Sequence, residues 1–179
     1  MPPVLFLDID GVLTTRDSRR EARRRMTYPG RYQQHLAQLD RDLVVRLNTI
    51  YKQTNCDVVV SSAWRRVFKL DDLGALLTIA GFSGPVVGRT TTSTVPAGEG
   101  SSLVVAPARW REIQMWLQAH EPGVDFCETW LRKVEPTTRF CILDDEKDMG
   151  PFFANHVCTS DRHGLQHQHV ERAVALLTA

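Results

Sequence analysis

Two aspartates one residue apart, Asp8 and Asp10, close the apolar run VLFLDIDGVL at residues 4–13, and Gly11 follows at once. Burying one carboxylate is costly, and close neighbours also repel each other. A chain that places both there implies a cation for them. A second acidic pair, Asp144 and Asp145, ends the apolar run FCIL at 140–143. The run VVV at 58–60 leads into Ser61, so a third strand end carries a polar group. Several carboxylates on one rim fit a hard divalent cation, foremost Mg²⁺, which also binds phosphate. The chemistry this points to is phosphoryl transfer.

Something must bring three distant segments to one rim. Val4–Ile9, Val58–Val60, Pro85–Val87, Phe140–Leu143 and His156–Cys158 read as strands, and the runs are continuous rather than alternating. That pattern predicts a parallel sheet covered on both faces. Between them, Leu36, Leu39, Leu43, Leu47, Ile50 and Tyr51 recur at helical spacing, as do Leu73, Leu76, Leu77 and Ala80 ahead of Gly81. Ile113, Trp116 and Leu117 mark a further helix, ended by Pro122 and Gly123, and Val170, Ala173, Val174 and Leu177 mark the last. Alternating strands and helices give an α/β class with right-handed crossovers, a Rossmann-like parallel sheet with helices on both faces. In such sheets ligands bind beyond the carboxyl ends of the strands, where Asp8, Asp10, Ser61, Asp144 and Asp145 fall. Two long connections stand out, at 14–35 and at 88–106, the latter rich in Thr, Ser and Gly. The first is read as a small flap and the second as a loop insertion in a single domain spanning 1–179.

Composition narrows the function classes. The 179 residues carry a net charge of +1, with no global drive toward nucleic acid or membrane. No run reaches the ~18 apolar residues of a membrane span, and no signal peptide is visible. Cys56, Cys127, Cys141 and Cys158 form no CxxC pair, which argues against zinc and for reduced thiols in a cytoplasmic protein. Locally the charge is uneven: Arg16, Arg19, Arg20, Arg23, Arg24, Arg25 and Arg31 face only Asp17 and Glu21 within residues 16–31. Lying in the flap beside Asp8, this cluster suits a polynucleotide or polyphosphate; equally, it suits a solvated helix in an arginine-rich chain.

LFLDIDGVL, VVVSSAWR and CILDDEKDM resemble the motifs of the haloacid dehalogenase (HAD) superfamily of phosphohydrolases. SSAWR at 61–65, RWREIQMWL at 109–117 and TSDRHGL at 159–165 resemble the small HAD-like domains associated with bacterial RNA-repair proteins, the last with a serine inserted. The resemblance implies a HAD-like fold with a minimal cap. It implies Asp8 as a nucleophile forming an aspartyl-phosphate, and Asp10 as the acid/base, its carbonyl also binding metal. Gly11 and Ser61, or Ser62 in its place, would hold the phosphoryl group. Asp144 and Asp145 would complete the Mg²⁺ shell, with Asp148 in an outer role or capping a helix. Arg109 would balance charge, with Arg111 and Lys147 as runners-up. Arg16, Arg19 and Arg20 would contact substrate.

The expected activity is hydrolysis of a phosphomonoester on a nucleotide or a nucleic-acid end, without a membrane or an obligate protein partner. The alternatives are a small-metabolite phosphatase and a regulatory HAD-like module without catalysis. His163, His167 and His169 read as a surface helix start rather than a metal cluster. Trp64, Trp110, Trp116 and Trp130 read as packing, with Arg65 in a buried ion pair.

Overall fold

A computed structural model describes residues 2–25, 30–91, 95–96, 104–105, 108–121, 124–126, 133–134 and 136–179. The strands β1 (Val4–Leu7), β2 (Asp57–Val60) and β3 (Val86–Arg89) are followed by two short pairs, β4 (Val95–Pro96) with β5 (Val104–Val105) and β6 (Asp125–Phe126) with β7 (Lys133–Val134). Then come β8 (Phe140–Asp144) and β9 (His156–Cys158). The main sheet runs β3-β2-β1-β8-β9 with every pairing parallel. The five expected strands are thus the five of the sheet, with the first two acidic-motif strands side by side at its centre.

Successive residues of a strand face opposite ways, so each central strand feeds two cores. Leu5, Leu7, Val58, Val60, Cys141 and Leu143 pack with α3 (Arg41–Thr54), α4 (Leu70–Ile79) and α6 (His167–Thr178). Phe6, Val59, Phe140 and Ile142 pack on the other face with Ile113 and Leu117 of α5 (Arg109–His120) and with Phe152. Burying both faces is what the unbroken apolar runs demand. Trp116 packs edge-on against Phe6 with ring centroids 5.3 Å apart, and Trp110 borders the same cluster. Trp130 lies outside the described residues.

One reading is corrected here. The helix expected from Leu36 onward starts at Arg41, because the Asp40 carboxylate accepts from the Asp42 N–H (2.9 Å) and caps it. Leu36 belongs instead to a separate short helix, α2 (Arg31–Leu36). The connection 14–35, read as a small flap, also holds α1 (Arg16–Arg25), started by a reciprocal cap in which Thr15 and Ser18 each accept from the other's N–H. Of the 88–106 segment, Val86–Arg89 extends β3 past Val87, and β4 and β5 pair antiparallel. Among the described residues no helix is long and apolar enough to cross a membrane.

Candidate active site

Strand register sets the site. Leu7 pairs with Val60 on one side and Leu143 on the other, so the three central strands finish level. The Asp8 N–H continues the ladder to the Leu143 carbonyl (2.9 Å), and the Ser61 N–H to the Leu7 carbonyl (2.9 Å). On the far side the Thr159 N–H reaches the Asp144 carbonyl at 3.0 Å. Asp8, Ser61, Asp144 and Thr159 therefore lie in one row at the carboxyl edge, all buried.

Within that row Asp8, Asp144 and the half-buried Asp145 bring carboxylate oxygens within 4.8 Å of one another. Burial, then the facing carboxylates, pushes the Asp144 carboxyl up to about 7. Burial raises Asp8 too, against Arg109 and a hydrogen bond with Ser62 that favour its charge. Asp145 is also raised, by burial and then by Asp8 and Asp161. Three carboxyls held against their own repulsion, one with a buried oxygen (Asp144 Oδ2) lacking a hydrogen bond, are the donor set a hard cation needs. They fit Mg²⁺.

Gly11 makes this closeness feasible. Its φ of +73° is one that L side chains rarely adopt, and a Cβ there would overlap the Asp145 carboxylate. Its carbonyl accepts from the buried Thr159 hydroxyl (2.8 Å), tying the turn after β1 to the end of β9.

Asp10 stands beside the three-carboxylate group rather than in it, and its charge adds to the upward push on Asp8 and Asp145. Its Oδ2 accepts from the Trp64 indole N–H (3.0 Å) and its Oδ1 from the Thr14 hydroxyl (3.1 Å), with Arg19 at 3.8 Å. The metal role foreseen for this residue concerns its carbonyl alone. Trp64 packs as expected, but it is also a site residue, which the sequence reading missed; the only signal was its place in SSAWR.

Arg109 stands between the carboxylates, Nε 3.1 Å from Asp144 Oδ2 and Nη2 3.8 Å from Asp8 Oδ2. Its Nε and Nη1, and the Ser61 hydroxyl, are buried without a hydrogen-bond partner. The runners-up lie outside: Arg111 is exposed, 5.0 Å over the Trp110 ring, and Lys147 is exposed. Asp148 caps the Gly150 N–H (3.0 Å). Behind Arg109, Glu112 forms a buried ion pair with Arg65, whose guanidinium also donates to the Ser61 and Ser62 carbonyls. Ser62 itself caps the 3-10 turn Ala63–Arg66. This network, including Glu112, fixes the serines relative to α5.

Of the flap arginines, Arg19 reaches the site, bonding the Thr14 hydroxyl (2.9 Å) and pairing with Asp161. Arg16 and Arg20 are exposed; Arg16 lies 3.7 Å from Asp161, and among the described residues neither pairs with Asp8, Asp144 or Asp145. His163 and His167 are exposed, and α6 starts at His167.

A family model described as "HAD domain in Swiss Army Knife RNA repair proteins" matches residues 4–170, which includes every site residue above. No curated protein and no solved structure matches.

Proposed function

The chain belongs to the family of HAD domains in Swiss Army Knife RNA repair proteins, and from that premise we propose that it is a phosphomonoesterase working through an aspartyl-phosphate on a nucleotide or nucleic-acid end. The observation that carries this reading is a set of buried polar atoms without a hydrogen bond on the rim that holds Asp8: the Ser61 hydroxyl, Arg109 Nε and Nη1, and Asp144 Oδ2, the two Arg109 nitrogens making only ion-pair contacts, Nε to Asp144 and Nη1 to Glu112. Buried polar groups without hydrogen bonds are costly, and an arriving phosphoryl group and cation would satisfy both donors and acceptor.

Asp8, Asp144 and Asp145 would hold Mg²⁺, which when bound offsets repulsion between the carboxylate and a dianionic phosphate. An Asp8 oxygen attacks phosphorus, and the bond to the leaving oxygen breaks. Asp10 gives its proton to that oxygen. Water then attacks the aspartyl-phosphate, Asp10 takes the water's proton, and phosphate leaves with Asp8 restored. Ser61 and the Gly11 N–H hold phosphoryl oxygens, while Arg109 supplies a fork matched to them. Ser62, bonded to Asp8 and capping the following turn, orients the nucleophile.

The test is phosphate release with Mg²⁺ from a phosphorylated oligonucleotide, mononucleotides and sugar phosphates. Asp8→Asn should lose ~10³-fold or more in kcat while keeping its circular dichroism. Full turnover in that variant overturns the mechanism. Preference for sugar phosphates overturns the substrate class.

A further inference from the structure

We propose that Arg23 is a specificity-determining residue that binds a second phosphate of the substrate, one nucleoside away from the phosphate that Asp8 attacks; this rests on the proposed nucleotide or nucleic-acid substrate. A trough of about 500 Å³, open to solvent, lies beside Asp10 and is lined by Arg19, Arg23, His35, Gln38, Trp64 and Asp161. Asp10 protonates the leaving oxygen, so the leaving group lies in this trough. One wall is aromatic: His35 packs edge-on to Trp64 with centroids 4.7 Å apart. Gln38 has an amide oxygen and a second N–H to offer, since its Nε2 spends one hydrogen bond on the Gln34 carbonyl. A flat, hydrogen-bonding group fits these surroundings.

The two trough arginines are four apart on α1, on one face and ~6 Å apart along the axis. Their states differ. Arg19 is spent on Thr14, Asp10 and Asp161. Arg23 is exposed and has no ion-pair or hydrogen-bond partner among the described residues. With Arg19 balancing the trough's carboxylates, Arg23 is the cation left over, one helical turn farther from the reaction. Arg16, Arg20, Arg24 and Arg25 are not among the lining residues, so the trough receives a placed charge rather than the general charge of the helix. A guanidinium at that distance, past a nucleoside-sized space, matches a second phosphate.

The variant Arg23→Gln separates the outcomes. Its substrates are a terminally phosphorylated dinucleotide, a nucleoside bisphosphate and a mononucleotide. The ratio of kcat/KM for two-phosphate substrates over the mononucleotide should fall about tenfold, through KM, with Arg23→Lys recovering part. A fall with both two-phosphate substrates assigns the contact to phosphate alone, and a fall with the dinucleotide only assigns it to a strand; each supports the proposal. An unchanged ratio, or equal losses on all three, overturns it. Calorimetric titration of the dinucleotide into Asp8→Asn with and without Arg23→Gln reads the same contact without turnover. Arg23-dependent binding in a protein that hydrolyses nothing would sink the proposed activity and leave this subsite standing. Hydrolysis indifferent to Arg23 would do the reverse.

Discussion

The acidic rim and the helical flap beside it are held by opposite means. Asp8, Ser61 and Asp144 sit at the ends of central strands at 5%, 0% and 0% exposure, placed by ladder hydrogen bonds and a core on both faces. Among the described residues α1 of the flap is tied at few points: Ala22 is its buried residue, the Arg16 N–H reaches the Asp161 carbonyl, Ser18 donates to the Gln38 carbonyl, and Arg19 reaches Thr14 and Asp161. Groups that must meet a phosphoryl transition state need a rigid mount. Groups that sort leaving groups need a surface able to vary without disturbing the sheet. The comparison predicts that rim changes act on every substrate alike, and flap changes only on some.

After Asp8, the largest loss should come from Arg109. Arg109→Met removes the one cation between Asp8 and Asp144 among the described residues, and kcat should fall ~10²–10³-fold on aryl and nucleotide phosphates equally. Arg109→Lys should recover a part, since an ammonium keeps the charge but not the fork. A loss confined to one substrate would move Arg109 from the rim to the sorting surface.

Next is the support behind it. Glu112→Gln leaves the buried Arg65 guanidinium without its counter-charge, and chemical denaturation should show ~3–5 kcal/mol lost. Joint replacement by Met at 65 and Leu at 112 should return some of that. It should not return all, because the Ser61 and Ser62 carbonyls lose their donor. A change under 1 kcal/mol in Glu112→Gln, roughly the level of a surface pair, would mean the rim is less tightly mounted than its burial implies.

This contrast also explains what could be read from the chain. The rim was legible because unbroken apolar runs ending in Asp8, Ser61 and Asp144 report both sheet type and strand ends. Arg109 was legible only through motif resemblance, since nothing in its neighbours marks it against Arg111. The flap was not legible in the same way. Seven arginines within 16–31 have one composition, and only the phase of α1 separates Arg19 and Arg23 from Arg16 and Arg20. The break at Asp40 was hidden because Leu36 and Leu39 continue the spacing of Leu43 and Leu47 across a cap. Trp64 looked like core because it is core; its indole N–H bond to Asp10 depends on a tertiary approach that spacing does not encode.

A smaller effect follows from crowding at the rim. Asp144, pushed from 3.8 to about 7, and the raised Asp8 and Asp145 bind protons more tightly folded than unfolded. Such groups stabilise the fold below their unfolded value, and that contribution is lost as pH rises toward the folded one. With the cation chelated, Tm should therefore drop between about pH 4 and pH 7, and adding Mg²⁺ should raise Tm more at the upper end of that window. A Tm rise independent of pH would show the cation binding elsewhere. Flap variants such as Arg23→Gln should leave this profile in place.

The smallest effect should arise where the two regions meet. Trp64→Phe keeps most of the buried ring and removes the N–H that holds Asp10 Oδ2. Asp10 keeps Thr14 and Arg19, so it loses orientation rather than its place. An alkyl leaving oxygen needs a proton as its bond breaks; a nitrophenolate does not. Turnover of a nucleoside monophosphate should fall about fivefold, the worth of one ordinary hydrogen bond, while 4-nitrophenyl phosphate changes by less than about twofold. A fall of the same size on both would assign Trp64 to the rim's rigid mount and leave Asp10 no special dependence on it. A gap between the two substrates would mark Trp64 as the residue through which the serine-bearing strand end sets the geometry of proton transfer.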